Sequence, residues 1–238
     1  MLNNSPKLAM PFLHSIETIT LSQHSAVLMI AKFEMTAFRT DLYFKHGIPI
    51  PASFQGSTPA RRAEFLAGRI LSKAALDFLN YSQNGTVDVG PGRAPIWPVG
   101  ITGSISHDSG NVAVLLTRNA SLRLGIDITR APSKPELDAV RELALVDVDR
   151  ALCSLTADLC SDISAMLIFS GKETFFKAFY RDVGHYFDFD CACADSIELP
   201  STLRLTLTKD LSPKLSAGMN FLVQFRIEEE FLVTWMIA

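Results

Sequence analysis

The chain has 238 residues, of which 48% are hydrophobic and 20% are charged, and its formal net charge is −3. This length and apolar fraction allow a sizeable buried core, in one domain or two closely packed halves, and they exclude a disordered chain. The nearly balanced charge gives no general basic surface for nucleic acid or anionic membranes, so any anion site has to be local.

The N-terminal region shows no pattern of export or membrane insertion. Residues 1–15 lack a charged start followed by a long apolar segment, and Lys32 interrupts the strongest apolar run. We therefore expect no membrane span and a cytoplasmic location. Residues 16–33 first alternate between apolar and polar and then become continuously apolar, which predicts two adjacent strands.

A helix is predicted to begin at Pro59, with Ser57 or Thr58 as its cap, and to end near residue 78 or 79. Arg62, Arg69 and Lys73 follow one another at spacings of seven and four, so they share one face of this helix. Such a stripe is usually a solvated surface. A phosphate-binding edge is the alternative.

Residues 85–103 are rich in Gly and Pro, which predicts a long functional loop. A break with two prolines at residues 131–135 favours a boundary between halves 1–130 and 131–238. The other predicted elements are strands at 112–116 and 122–128, helices at about 136–147 and 162–182, and strand-like segments at 196–207, 221–227 and 231–237.

Four cysteines lie in the second half, in an arrangement that fits no common zinc finger. A six-residue gap precedes a Cys-x-Cys pair, so ordinary reduced thiols are favoured over a zinc site. The residues are Cys153, Cys160, Cys191 and Cys193.

Asp127 is a carboxylate within an apolar, strand-like segment. It shares one strand face with Gly125, whose missing side chain leaves room for a ligand. A carboxylate in apolar surroundings is costly unless something compensates it, and a divalent cation shared with a phosphorylated ligand is one such compensation. A solvent-facing strand residue is the alternative.

A second carboxylate, Glu173, lies in the predicted helix at 162–182. Glu173 and Lys177 are four residues apart and share a face, which is typical of an exposed salt bridge. Because this helix is apolar on several sides, we expect both ions to be partly buried and paired. Together, Asp127 and Glu173 predict a magnesium site.

Ser106, His107 and Asp108 are contiguous and suggest a hydrolase at first sight. Neighbours on an extended backbone point to opposite faces, however, and cannot form a nucleophile and base relay, and the Gly-x-Ser-x-Gly elbow is absent. The hydroxyl and imidazole groups beside glycines suit phosphate binding better. A polar turn before a strand is the alternative.

Five segments in this order resemble the 4′-phosphopantetheinyl transferase superfamily, in particular its Sfp type and the enterobactin synthetase component D group. They span residues 64–177. The segments are Glu64-Phe65-Leu66-Ala67-Gly68-Arg69, Gly92-Arg93-Ala94-Pro95-Ile96-Trp97-Pro98, Gly103-Ser104-Ile105-Ser106-His107, Gly125-Ile126-Asp127-Ile128, and Lys172-Glu173 with Lys177.

The resemblance implies an α+β, pseudo-twofold fold in which coenzyme A, the substrate, binds between two similar α/β halves. It implies magnesium-dependent transfer of the phosphopantetheine arm to a serine of an apo carrier protein, with release of 3′,5′-ADP. The carriers would belong to nonribosomal peptide, siderophore, polyketide or fatty-acid synthases, with siderophore synthesis favoured. Because one chain contains both halves, we expect a monomer.

The resemblance also implies roles for individual residues. Asp127 and Glu173 would hold magnesium, Glu173 would be the base for the incoming serine, directly or through water, and Lys177 would hold the pyrophosphate. The remaining coenzyme A contacts would be Ser106, His107 and Arg69 near the 3′-phosphate, Arg93, Ala94 and Pro95 at the adenine, and Arg62 and Lys172.

Two positions depart from the Sfp pattern. Thr129 stands where many members have a second acid, and Phe169 stands where many have Trp. A site with two protein carboxylates remains, with water or the Thr129 hydroxyl in the third position. A noncatalytic module that binds coenzyme A or a nucleotide is the alternative function.

Overall fold

The structure is a computed structural model that describes residues 11–54, 56–81, 85–156 and 159–238. Its strands are β1 (Leu13–Leu21), β2 (Ala26–Phe33), β3 (Asp88–Val89), β4 (Pro95–Ile96), β5 (Thr102–Asp108), β6 (Asn111–Thr117), β7 (Leu124–Arg130), β8 (Ala192–Glu198), β9 (Thr202–Leu207), β10 (Asn220–Ile227) and β11 (Phe231–Ile237). Its helices are α1 (Asp41–His46), α2 (Pro59–Phe78), α3 (Lys134–Leu143), α4 (Asp147–Leu155) and α5 (Ser161–Val183).

Two antiparallel sheets form the framework, which is an α+β fold with two halves, as the sequence predicts. The first sheet has the order β1-β2-β6-β5, and the second has the order β7-β11-β10-β9-β8. The predicted pair of strands near the start is confirmed as β1 and β2. The strand-like segment at 196–207 is two paired strands, β8 and β9, because the chain turns between Glu198 and Thr202.

The two sheets divide the chain before β7 and not after it. β7 pairs along its whole length with the C-terminal strand β11, from Leu124 opposite Ile237 to Arg130 opposite Phe231. The sheet division therefore falls earlier than the proline break at 131–135, from which we placed the boundary at residue 130. Only the pairing with β11, more than 100 residues later, assigns β7 to the second sheet.

Local capping signals account for the helix ends. The Thr58 hydroxyl accepts a hydrogen bond from the Arg61 amide at 3.2 Å, so the predicted start of α2 at Pro59 is confirmed. The helix predicted at 136–147 is instead two helices. The Asp149 carboxylate accepts a hydrogen bond from the Val146 amide at 2.9 Å and thereby begins α4 after α3 has ended.

Three apolar clusters make up the core. One lies between α2 and the first sheet, and one lies between α5 and the second sheet. The third lies between the sheets and joins residues of β2 and β6 to Ile126, Ile128 and Val233. Burial on both faces explains why β2 and β6 are continuously apolar. No helix in the described part of the chain is long and apolar enough to cross a membrane.

The helix α5 lies directly against β7. A Cβ atom on Gly125 would come within 1.9 Å of the Thr174 carbonyl oxygen, so only glycine allows this approach. The space beside Gly125 is therefore filled by the backbone of α5 and does not accommodate a ligand. This corrects the sequence interpretation and shows that Gly125 sets the distance between the strand of Asp127 and the helix of Glu173.

A buried ion pair fixes α5 on its other side. The Lys172 ammonium donates to Asp149 Oδ2 at 2.5 Å and to the Ala144 carbonyl at 2.9 Å. The other Asp149 oxygen accepts a hydrogen bond from the Ala194 amide at 2.7 Å. Asp149 is fully buried and Lys172 is 3% exposed. The pair therefore ties α5 to α4 and β8.

We expect Gly125→Ala to lower the free energy of unfolding by about 3 kcal/mol, because the new methyl group must push α5 away from β7. Urea denaturation measures this change. Gly68→Ala in α2 is the control, because its Cβ meets only the Ile105 Cγ2 atom, at 3.1 Å. Equal losses in the two variants would contradict the assigned role of Gly125.

We expect Lys172→Met to lower the free energy of unfolding by about 3–5 kcal/mol, because it leaves the buried Asp149 carboxylate without its cation. The control is Lys209→Met, which removes an exposed ion pair with Asp190 and should cost about 0–1 kcal/mol. Urea denaturation of both variants gives the comparison. A loss for Lys172→Met no larger than that for Lys209→Met would rule out a structural role for the pair.

Candidate functional site

Asp127 lies where the two sheets and α5 meet. Its Oδ1 atom accepts hydrogen bonds from the Ser106 hydroxyl at 2.9 Å and from the Lys177 ammonium at 2.6 Å. Its Oδ2 atom accepts one from the Ser170 hydroxyl at 2.7 Å. The residue is 7% exposed. The three donors compensate the carboxylate, so it is not the solvent-facing strand residue considered as an alternative.

Lys177 also donates to the Ser106 hydroxyl at 2.9 Å. One side chain from each of β5, β7 and α5 therefore forms a single charged cluster, which we call the carboxylate cluster: Ser106, Asp127 and Lys177. The sequence analysis gave an exposed Glu173–Lys177 salt bridge as the ordinary interpretation and expected instead that both ions are partly buried and paired. The structure instead brings the Lys177 ammonium to Asp127, because α5 packs with this face on β7.

Glu173 lies one turn before Lys177 on α5 and is half-buried. Burial raises the pKa of its carboxyl, the positive charge of Lys177 opposes this effect, and the negative charge of Asp127 raises the pKa further. The described part of the chain supplies no hydrogen bond or ion pair to Glu173. Its ionised form is therefore the least compensated carboxylate of this region.

A second cluster of charged groups lies on the α2 side of β5. The Arg61 guanidinium contacts His107 Nε2 at 3.1 Å and Glu64 Oε2 at 3.4 Å, and His107 Nδ1 is 3.6 Å from the same Glu64 oxygen. A pocket of about 150 Å³, the α2 pocket, is lined by these three residues together with Arg69, Arg93, Pro95 and five others.

The protonation of His107 follows from its surroundings. Burial lowers its pKa below the usual value, the Glu64 carboxylate opposes this effect, and the charges of Arg61 and Lys177 lower the pKa further. His107 is therefore predominantly neutral at physiological pH and acts as a hydrogen-bonding group.

Ser106 and His107 lie on opposite faces of β5. Adjacent strand residues point to opposite sides, so Ser106 bonds to Asp127 whereas His107 faces α2. The same geometry excludes a hydrolytic relay through Ser106 and His107. Asp108 is occupied separately, because it accepts a hydrogen bond from the Arg130 amide at 2.7 Å.

Arg61 is the residue that the sequence analysis missed. It was overlooked because Arg62 has the seven-residue spacing to Arg69, although a spacing of eight also keeps residues on one helix face. The described lining of the α2 pocket includes Arg61 and Arg69 but not Arg62. The Arg62 carbonyl instead accepts a hydrogen bond from the buried Tyr43 hydroxyl at 2.7 Å. The predicted ligand contact of Arg62 stays a prediction, and the Arg62 Nε atom is buried without a hydrogen-bond partner in the described structure.

Arg69 lines the α2 pocket, but its guanidinium is hydrogen-bonded to backbone carbonyls of the protein. Its guanidinium donates to the Val87 carbonyl at 2.6 Å and to the Asp88 carbonyl at 3.2 Å, and its Cζ atom lies 4.3 Å from the centre of the Phe65 ring. Burial lowers the pKa of Arg69 to about 10. Arg69 therefore anchors the small β3–β4 hairpin with two of its five N–H donors.

The Gly- and Pro-rich segment is ordered as this hairpin. The Gly90 amide donates to the Ala94 carbonyl at 2.8 Å, and Arg93, in a left-handed conformation, is exposed at the turn. The Arg181 side chain of α5 donates to the Pro95 carbonyl. The hairpin thus bridges the halves and borders a cleft of about 710 Å³, which is also lined by Ser104, Phe176, Lys177 and Tyr180.

Lys172, expected to contact coenzyme A, is buried. Its ammonium donates to Asp149 and to the Ala144 carbonyl, so it has a structural role, and its contact with coenzyme A stays a prediction. The reason is that Lys172 follows Ser170 by only two residues on α5. It therefore faces α4 and β8, while Ser170 and Lys177 reach Asp127 on β7.

Asp127 and Glu173 are carboxylates of the type that Mg²⁺ takes as ligands, and they lie on the neighbouring elements β7 and α5. Mg²⁺ binds oxygen ligands and needs only one or two protein carboxylates, since it keeps waters and takes ligand phosphates. Asp127 and the uncompensated Glu173 supply two. No group of three or more His, Cys, Asp or Glu side chains suited to a metal occurs among the described residues. The Thr129 hydroxyl lies 3.4 Å from the Arg130 carbonyl and 3.5 Å from Asp108. Because Thr129 has these acceptors within the protein, water is the remaining candidate for a third ligand of the ion.

We expect Glu173→Gln to raise the free energy of unfolding at neutral pH in metal-free buffer. Because the pKa of Glu173 is raised in the folded state, wild-type stability falls as the pH rises through that pKa, and the uncharged variant avoids this loss. The difference should vanish well below pH 4.5, the ordinary pKa of a Glu carboxyl, because the carboxyl is then protonated in both states. Urea denaturation across pH measures it.

The matched control for Glu173→Gln is Glu136→Gln, for which we expect the opposite change in the free energy of unfolding. Hydrogen bonds from Ser133 and then from Arg130 lower the pKa of Glu136 to about 2. The Glu136 variant should therefore be less stable than wild type at neutral pH. A destabilised Glu173 variant at neutral pH would contradict the interpretation of Glu173 as an uncompensated acid.

Comparison with known proteins identifies the family. A family model described as 4′-phosphopantetheinyl transferase N-terminal domain matches residues 51–117, and one described as 4′-phosphopantetheinyl transferase superfamily matches residues 123–227. Together they cover more than two thirds of the chain. The two models meet between β6 and β7, where the sheets divide.

Curated relatives agree with these matches. Enterobactin synthase component D of Salmonella austin is 35% identical over 120 residues, which cover 50% of this chain and 48% of that protein. The Salmonella typhimurium protein of the same name is 34% identical over 156 residues, covering 64% and 62%. The 4′-phosphopantetheinyl transferase Svp of Streptomyces mobaraensis is 34% identical over 138 residues, covering 56% and 54%.

The chain spans about half the length of the curated relatives it matches. Both halves of the fold are nevertheless covered by the family models, and the matched residues include both Asp127 and Glu173. The chain belongs to the 4′-phosphopantetheinyl transferase superfamily.

Proposed function

We propose that this chain transfers the 4′-phosphopantetheine arm of coenzyme A to a serine hydroxyl of an apo carrier protein, with Mg²⁺ as cofactor, and releases 3′,5′-ADP. One observation carries the proposal. The uncompensated Glu173 lies one helical turn from Lys177, which is hydrogen-bonded to Asp127, so an acid that lacks a partner adjoins an ordered carboxylate and ammonium.

The proposed reaction uses these groups in distinct ways. The serine oxygen forms a bond to the phosphorus of the phosphopantetheine group, and the bond from that phosphorus to the bridging oxygen breaks, which leaves 3′,5′-ADP. Glu173 takes the serine proton, directly or through water.

Lys177 supplies positive charge where the reaction develops negative charge. Its ammonium bonds to Asp127 and Ser106, so it is oriented before a ligand arrives, and such orientation lowers the cost of stabilising a transition state. The pyrophosphate would lie against this ammonium. Asp127 and Glu173 would hold the Mg²⁺ ion, which when bound neutralises phosphate oxygens and orients them for in-line displacement.

The α2 pocket suits the 3′-phosphate of coenzyme A. Arg61 presents its guanidinium beside the neutral His107, and a guanidinium matches the oxygens of a phosphate. Glu64 holds Arg61 at 3.4 Å and so fixes its direction. The exposed Arg93 and the backbone of Ala94 and Pro95 then lie at the adenine end, on the hairpin that Arg69 anchors.

The partners that we propose are carrier proteins or carrier domains of siderophore or other nonribosomal peptide synthesis. Carriers of polyketide and fatty-acid synthases are further substrates to test. Two of the relatives are named enterobactin synthase component D, which favours the siderophore class. We also propose that the protein acts as a cytoplasmic monomer without nucleic-acid partners. The two halves of one chain already enclose the cleft.

The direct test is incubation with coenzyme A, Mg²⁺ and several apo carrier proteins. We expect each modified carrier to gain the mass of one phosphopantetheine group, and we expect the gain to disappear with a chelator or in Asp127→Asn. Mass spectrometry of the intact carrier measures this. Coenzyme A binding without transfer to any carrier, unaffected by Glu173→Gln, would instead favour a noncatalytic binding module, the alternative that Thr129 suggests.

We expect Arg61→Ala to raise the KM for coenzyme A about 10-fold or more, because a charged hydrogen bond to phosphate is worth about 1.5–3 kcal/mol. With dephospho-coenzyme A, which lacks the 3′-phosphate, Arg61→Ala should differ little from wild type. Arg62→Ala is the matched control and should keep the wild-type KM for both substrates. A larger effect of Arg62→Ala would overturn the assignment of the pocket.

A further inference from the structure

A chain of buried hydroxyl groups lies behind Asp127, on the side away from Ser106 and Lys177. The Ser170 hydroxyl, which donates to Asp127 Oδ2 at 2.7 Å, lies 2.8 Å from the Thr234 hydroxyl, which in turn lies 2.6 Å from the Thr174 hydroxyl. All three hydroxyl-bearing residues are fully buried. They join α5 and β11 to Asp127 on β7.

The direction of these hydrogen bonds follows from the acceptor at the end of the hydroxyl row, the Asp127 carboxylate. An ionised carboxylate only accepts, so the Ser170 proton is directed at Asp127. The Thr234 hydroxyl then donates toward Ser170, whose carbonyl lies 3.0 Å away and whose hydroxyl lies 2.8 Å away. The Thr174 hydroxyl donates toward Thr234, where the hydroxyl and the carbonyl, at 3.2 Å, accept. Each buried donor thus has an acceptor, and donation runs through the row of hydroxyls from Thr174 to Asp127.

The two carboxylate oxygens of Asp127 have different hydrogen-bond donors. Oδ2 is fixed from inside the protein by one buried donor, while Oδ1 bonds to Ser106 and Lys177. Rotation of the carboxylate would break the inner bond and leave the buried Ser170 hydroxyl without its acceptor. The inner bond therefore keeps Oδ1 directed at Lys177.

We propose that Ser170 is a positioning residue that orients the Asp127 carboxylate for the transfer reaction, with Thr234 and Thr174 supporting it. The inference rests on the proposed function. Ser170 does not line the cleft, so it affects the reacting atoms only through Asp127. Outer hydrogen-bond partners of a ligating carboxylate commonly change metal affinity or activity by 10- to 100-fold when they are removed.

The chain offers a closely matched control on the same helix. Ser164 is also fully buried in α5, but its hydroxyl has no hydrogen-bond partner in the described structure. Ser170→Ala and Ser164→Ala make the same chemical change in the same helix. They differ in whether the lost hydroxyl reaches Asp127.

The test combines structure determination with transfer kinetics. In a crystal structure of Ser170→Ala, we expect the Asp127 carboxylate to rotate away from its wild-type direction. With coenzyme A, Mg²⁺ and an apo carrier, we expect kcat to fall about 10- to 100-fold, while the KM for coenzyme A changes by less than about 3-fold. Ser164→Ala should keep the wild-type orientation and kcat.

The outcomes separate this inference from the proposed function. An unchanged Asp127 orientation in Ser170→Ala, or an equal loss of kcat in Ser164→Ala, would overturn the positioning role. Absence of transfer by the wild-type protein would overturn the proposed function, while the orientation of Asp127 in the variant structure would still decide the role of Ser170. Recovery of kcat by Ser170→Thr, which restores a hydroxyl, would support the positioning role. A folded Ser170→Thr variant that binds Asp127 through its hydroxyl but remains as slow as Ser170→Ala would count against it.

Discussion

The buried carboxylate of Asp127 is the group on which the rest of the candidate site depends. Burying a single charge without partners is strongly unfavourable, so its three donors have to be in place when the protein is folded. Ser106 comes from the first sheet, while Ser170 and Lys177 come from α5, which packs on the second. Compensation of one charge thus requires both halves of the molecule to meet at this point.

The position of α5 follows from two features that lie outside the carboxylate cluster. Gly125 allows the helix backbone to approach β7, and the Lys172–Asp149 pair ties the opposite side of the helix to α4 and β8. Both Lys172 and Lys177 are long cations on one helix, yet they have different roles. Lys172 is enclosed with its counterion, whereas the side chain of Lys177 is 25% exposed and can meet an anion from solvent.

A similar division of roles separates the arginines of α2. Arg69 uses its guanidinium to hold the β3–β4 hairpin through two backbone carbonyls, and this hairpin carries Arg93 across the cleft. Arg61 remains available beside His107 on the same helix face. The acid Glu64, which at first seems out of place in an anion pocket, orients Arg61 and holds one side of His107.

The amino-acid sequence determined the helices α2 and α5, most strands of the two sheets and the two candidate carboxylates, because caps, apolar periodicity and short motifs are local signals. It did not determine that β7 belongs to the second sheet, that Gly125 makes room for a helix, or that Lys172 is buried. It also did not separate Arg61 from Arg62 or identify Ser170 behind Asp127. These features were decided only by the tertiary structure, because each depends on which groups from distant parts of the chain occupy the space around a side chain.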